Sequence, residues 1–152
     1  MKALLLKSEA ATRALGRKLG AALQPGDFVA VTGELGAGKT VLVKAMAEGA
    51  GASGATSPSF AIVNLYQGRI RLQHLDLYRL TGPAELFALG FDDLLAEAAA
   101  TICEWAEKAG DALPADRLDI ALEPAGPGSR KVRISATGAN GQRLLTALGG
   151  VA

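Results

Sequence analysis

One cysteine in 152 residues rules out an internal disulfide framework. Long apolar runs are absent too. Apolar runs are short, such as Leu94-Leu95-Ala96 and Ala98-Ala99-Ala100, although apolar residues make up 49% of the chain. Nothing approaches the roughly 18 consecutive apolar residues of a membrane-spanning helix. The opening Met1-Lys2-Ala3-Leu4-Leu5-Leu6-Lys7-Ser8-Glu9 has too short an apolar centre, and too poor a cleavage site, for a secretory signal. No charge sign dominates: 16 basic and 15 acidic residues give a net charge of +1. That balance argues against a broad electrostatic footprint for nucleic acid. The densest basic cluster, Arg130, Lys131 and Arg133, reads as the solvated face of a strand. Neither an internal repeat nor a long linker is visible. These absences lead to the expectation of a single cytoplasmic domain spanning residues 1–152, long enough to bury a core without staples.

What is present is concentrated at Gly33 to Thr40. This stretch reads Gly-Glu-Leu-Gly-Ala-Gly-Lys-Thr, a full match to the phosphate-binding P-loop pattern. Phe28-Val29-Ala30-Val31-Thr32 precedes it as a buried-strand run, and Val41 to Ala47 can follow as a helix. Glycine backbone freedom lets successive N–H groups from Gly33, Glu34, Leu35, Gly36, Ala37 and Gly38 converge on phosphate oxygens. A helix beginning near Gly38 adds its positive dipole end. Lys39 then reaches the β- and γ-phosphates, and the Thr40 hydroxyl is placed to ligate Mg²⁺.

The order of elements reads as α/β. Helical spacing covers Thr12 to Leu23, stopped by Gln24-Pro25-Gly26-Asp27. The glycine-rich stretch Gly49 to Ala55 reads as a loop. Phe60 to Tyr66 and Arg69 to Leu77 read as a hairpin turning at Gln67-Gly68, with Arg69, Arg71 and Gln73 on the solvated face. Pro83 opens a helix reaching about Ala98, followed by a buried strand from Ala99 to Cys103. Leu118 to Glu123 and Lys131 to Thr137 form a last strand pair. The expected architecture is a three-layer P-loop NTPase-like fold whose mixed sheet has a parallel core and an antiparallel flank.

Hydrolysis needs a metal holder and a γ-phosphate sensor as well as a phosphate loop. Three clusters are available. Thr56-Ser57-Pro58-Ser59-Phe60 is rich in hydroxyls and reads either as a switch loop or as a strand-entry turn. In His74-Leu75-Asp76-Leu77-Tyr78-Arg79, alternation puts the only histidine, Asp76 and Tyr78 on one face and Leu75 and Leu77 on the other. Asp76 is a candidate for holding a metal-bound water or orienting the attacking one; structural hydrogen bonding is the competing reading. Glu104 ends a buried strand, at the edge where open α/β sheets bind ligands, and is the metal-residue candidate. Trp105 beside it reads equally well as packing.

Together these motifs resemble the TsaE (YjeE) family of small bacterial ATPases. The resemblance covers nearly the whole chain. It rests on Thr12-x-x-Leu15-Gly16, the P-loop, Thr56-Ser57-Pro58-x-Phe60, His74-x-Asp76-Leu77-Tyr78-Arg79 and Glu104-Trp105. It implies that ATP binds with Thr40 and Glu104 as Mg²⁺ ligands and Thr12 near the base. It further implies that Ser57 and the His-Asp-Tyr-Arg strand lie on the γ-phosphate side, with Lys39, Asp76 and Glu104 forming the catalytic set. The family acts with TsaD and TsaB in threonylcarbamoyladenosine formation on tRNA, which makes those two proteins the expected partners and tRNA an indirect one. Departures are Val41 where a second Thr is common, Ser59 for Thr, and Ala106 for the proline after Glu-Trp. A metabolite kinase is the alternative, but the only motif arginine near the expected site is Arg79, and the chain is short for an added lid.

Overall fold

The computed structural model describes residues 2–34, 36–56 and 63–149. Ser8 starts the first helix: its side chain accepts from the Ala11 N–H at 3.1 Å, so α1 runs Glu9–Ala22, one turn earlier than the apolar spacing predicts. The strand before it, β1 (Lys2–Leu6), has no counterpart in the sequence reading. β2 (Phe28–Gly33) leads through the glycine-rich loop into α2 (Lys39–Gly49).

Beyond α2 the expected loop is partly a strand. β3 (Ser53–Thr56) pairs antiparallel with β4 (Val63–Gln67), with a bulge between the two paired positions. Local propensity argues against a strand in so glycine-rich a segment; the neighbouring sheet edge recruits it. β4 pairs antiparallel with β5 (Arg71–Asp76), as the hairpin reading requires, although β5 starts two residues later than predicted. Arg69 lies in the turn and donates to the carbonyls of Gly20 (3.0 Å) and Leu23 (2.8 Å), closing the end of α1. The expected long helix after Pro83 divides into α3 (Pro83–Ala88) and α4 (Phe91–Leu95), because Gly90 takes a left-handed φ of 85°. β6 (Ala100–Glu104) follows, then a short 3₁₀ segment (Ala106–Ala112). β7 (Arg117–Gly126) and β8 (Ser129–Thr137) form the last hairpin, and α5 (Gly138–Ala147) closes the chain, unannounced by the sequence reading.

Among the described residues, eight strands join one sheet in the order β1-β8-β7-β2-β6-β5-β4-β3. β7, β2, β6 and β5 are parallel neighbours; the pairs on both edges are antiparallel. The fold is the expected mixed α/β arrangement, with antiparallel strands on two flanks rather than one. β2 shows the layering in its alternation: Val29 and Val31 join the core beneath α1, α2 and α5, and Phe28 and Ala30 join the core beneath α3, α4 and the 3₁₀ segment. Both faces of the parallel core are therefore covered. This corrects the half-buried reading of β5: Arg71 is exposed, but Gln73 is buried in register with Thr101, itself buried. Cys103 is buried as well, and that burial pushes its thiol up to about 12.

Candidate functional site

The site forms where the parallel strands end. β2 delivers the glycine-rich loop, and β5 and β6 end beside it with Asp76 and Glu104 as direct register partners. His74, Asp76 and Glu104 have the same parity as Leu72, Ala100 and Ile102, so they lie on the face that carries α2. Two carboxylates thus stand side by side across from the start of α2. The strand ends at Asp76, whose Oδ1 accepts from the Tyr78 N–H at 3.1 Å. Tyr78, expected to continue the same face, instead lies beyond the strand with half its surface exposed.

Gly38 begins α2 with a left-handed φ of 98°, and no side chain caps that end. The first-turn N–H groups are thereby presented to the cleft with their dipole. Lys39 is buried. Its ammonium donates to the carbonyls of Gly33 and Glu34 (3.0 Å to the latter) and sits 3.7 Å from the centre of the Trp105 ring. Desolvation lowers its pKa from the ordinary lysine value; Glu107, Glu104 and Asp76, in that order, oppose the shift by attraction. Trp105 adopts a left-handed backbone (φ 57°, ψ 40°), a conformation that concentrates at functional sites. Its ring meets Tyr78 with centroids 5.1 Å apart. The packing reading of Trp105 is therefore incomplete: the ring forms one wall of the lysine's pocket.

Glu104 is buried, and its Oε2 lies 2.5 Å from His74 Nε2. That contact fixes one carboxylate oxygen through Nε2 of the histidine, whose Nδ1 is buried without a hydrogen-bond partner among the described residues. The cleft holding Lys39, Thr40, Asp76, Glu104 and Trp105 has a volume of about 380 Å³. A wider depression of about 670 Å³ opens beyond Trp105, bordered by Glu34, Glu107 and Glu123, but lacks the lysine and the strand-end pair of carboxylates. Among the described residues no group of three His, Cys, Asp or Glu side chains forms a closed cage for a metal. A hydroxyl and a carboxylate flanking a phosphate loop suit Mg²⁺, which keeps waters and takes phosphate oxygens as ligands.

Thr12 is buried on α1, its hydroxyl donating to the Ser8 carbonyl at 3.4 Å. It borders a smaller cleft of about 170 Å³, shared with Glu9, Gly38, Val41 and Arg130, adjoining the first. α1 reaches the loop because Gly16 brings it against α2: a methyl there would fall 2.5 Å from the Ala45 Cβ. Leu35 and Ser57 lie outside the described residues, as do Pro58, Ser59 and Phe60. Arg79 is exposed and does not line the cleft; Arg130 does. The sequence reading missed Arg130, placing it on a solvated strand face. The signal available was its position two residues after the Pro124 to Gly128 turn, and only the strand order brings that turn beside the loop.

Comparison with known proteins identifies the family. A family profile described as "Threonylcarbamoyl adenosine biosynthesis protein TsaE" matches residues 6–132. The tRNA threonylcarbamoyladenosine biosynthesis protein TsaE of Bacillus subtilis is 36% identical over 129 residues, covering 84% of this chain and 80% of that protein. The Streptomyces coelicolor protein of the same name is 39% identical over 142 residues, with 89% and 95% coverage. The crystal structure of Bacillus subtilis YdiB superposes with a TM-score of 0.82 at 31% identity, covering 97% of this chain and 93% of that one. The chain belongs to the TsaE family, which serves tRNA threonylcarbamoyladenosine biosynthesis.

Proposed function

We propose that the cleft binds ATP with Mg²⁺ and hydrolyses it as an accessory step in threonylcarbamoyladenosine formation on tRNA, in the cytoplasm and in concert with TsaD and TsaB. The observation that carries this reading is the in-register pair Asp76 and Glu104 at the ends of β5 and β6, on the face that carries Lys39 and Thr40. The roles follow from chemistry. The backbone of Gly33 to Gly38 cradles phosphate. Lys39 exchanges its two carbonyl partners for β- and γ-phosphate oxygens, a stronger, charge-assisted contact. Thr40 and Glu104 hold Mg²⁺, with His74 fixing Glu104. The ion, when bound, neutralises charge on the phosphates. Asp76 orients the attacking water, Thr12 lies on the base side, and Leu35 and Ser57 complete the loop and the γ-phosphate side.

Calorimetry and turnover together test this reading. Thr40→Ala and Glu104→Ala are expected to weaken Mg-dependent ATP binding, and Asp76→Ala to retain binding and lose hydrolysis. Turnover of the isolated chain should be slow and rise markedly when TsaD and TsaB are added, as partner docking completes the catalytic arrangement, much as activating proteins do for GTPases. Absence of ATP binding, or turnover alone of several per second that the partners do not change, would overturn the proposal.

A further inference from the structure

The cleft contains a cation that its loop does not supply. We infer that Arg130 is the second side-chain cation of the nucleotide site, engaging the α- and β-phosphates at the junction between the base-side and phosphate clefts. This rests on the proposal that the site takes a nucleoside triphosphate, and it names the residue that grips the inner phosphates.

Arg130 stands near the start of β8, with Leu6 of β1 and Pro124 of β7 as register partners. Its half-buried side chain leaves the strand and lies over the loop. Nη1 donates to the Ser129 carbonyl at 2.8 Å, and Nη2 reaches the Gly36 carbonyl at 3.5 Å. A Cβ on Gly38 would fall 2.9 Å from Arg130 Nε and 3.5 Å from its Cδ, so the guanidinium stem covers the residue from which α2 begins. The side chain borders both clefts, with Thr12 and Glu9 on one side and Lys39 and Thr40 on the other.

Its charge is the second argument. Among the described residues no ion pair involves Arg130. Glu9, the carboxylate of the smaller cleft, is taken by Arg13 at 2.7 Å. Arg133, from the same basic cluster, is paired with Glu123 at 3.6 Å on the exposed surface. A half-buried guanidinium held by carbonyls alone, beside uncapped helix N–H groups, is a place where an anion gains charge-assisted, fork-shaped hydrogen bonds. Between a base-side cleft and a lysine that serves the outer phosphates, that anion is the inner part of the chain of phosphates.

Equilibrium binding of ADP and of ATP, each with Mg²⁺, to the full chain tests this. Arg130→Ala is expected to weaken both nucleotides by a common factor of about 10 to 100. Arg130→Lys should restore only part of the loss, since the ammonium keeps the charge and not the fork. Arg133→Ala should match the wild type, and the ligand-free melting temperature of Arg130→Ala should stay close to it. Wild-type affinity in Arg130→Ala overturns the inference, as does a loss confined to ATP, which would place the contact on the γ-phosphate. A fall in ligand-free melting temperature that accounts for the affinity loss would reduce Arg130 to loop support, and overturns it as well. If the wild type binds neither nucleotide, the parent proposal falls first and takes this one with it; a wild type that binds, compared with an Arg130→Ala that binds equally, isolates the failure to Arg130.

Discussion

Lys39 is the residue at which stability and function are set against each other. Its ammonium is buried, and the net effect of its surroundings is to lower its pKa, so the folded chain disfavours the charged form relative to the unfolded one. The unfolded state therefore holds the proton more tightly between the lowered value and 10.5, and stability attributable to this group rises with pH across that window. Below the window the full cost is present. Lys39→Met, which fills similar space without charge, is accordingly expected to melt at or above the wild-type temperature near neutral pH. Its stability advantage should shrink as pH approaches the ordinary lysine value. The same variant should lose nucleotide affinity, so thermal shifts recorded with and without ATP separate the two effects. A variant that melts well below the wild type would show that the carbonyl and Trp105 contacts outweigh desolvation.

At the scale of elements, α1 and α2 determine whether the cleft beside Thr12 exists. They meet where Gly16 leaves no side chain, and the nearest obstacles to one are the Ala45 methyl at 2.5 Å and the Leu42 carbonyl at 2.8 Å. Gly16→Ala is expected to cost about 1–3 kcal/mol by overpacking, measured by urea denaturation. Ala45→Gly in the same chain should return part of it, because one of the two obstacles is removed. Since Thr12 lies one turn before Gly16 on α1, the single variant should also weaken nucleotide binding; the pair should recover it in step with stability. Unchanged stability in Gly16→Ala would mean that the helices separate without penalty.

For the whole molecule, the last helix is tied to the turn that precedes the site. Arg143 of α5 pairs with Asp27, whose side chain is fully buried and also accepts from the Gln24 N–H at 2.8 Å. Asp27 ends the turn into β2, so this contact links the end of the chain to the strand that delivers the loop. Removing the cation strands a buried carboxylate: Arg143→Ala is expected to destabilise by about 3 kcal/mol, the lower end for a buried pair because the arginine is partly solvated. Asp27→Asn combined with Arg143→Ala should cost less than the sum of the two single changes, checked by a double-mutant cycle. Additive losses would show that the two residues act separately.

The glycine-rich loop, the strand before it and the helix after it were legible from residues alone, because consecutive residues make that unit and glycine, lysine and threonine must occupy fixed offsets. Asp76 and Glu104 were legible locally as well: Glu104 ends an apolar strand, and Asp76 alternates onto one face with His74, whichever strand lies next to either. The tertiary structure alone decided what depends on strand order and register. It set Asp76 beside Glu104, brought His74 onto Glu104, recruited Ser53–Thr56 as an edge strand and covered Gln73 on β5. It also turned Arg130, 91 residues after Lys39 by their numbering, onto the loop. Local periodicity records which side of an element is apolar, but a charged side chain on a strand edge looks the same in sequence whether water or a ligand cleft lies beyond it. That choice belongs to the packing of the sheet.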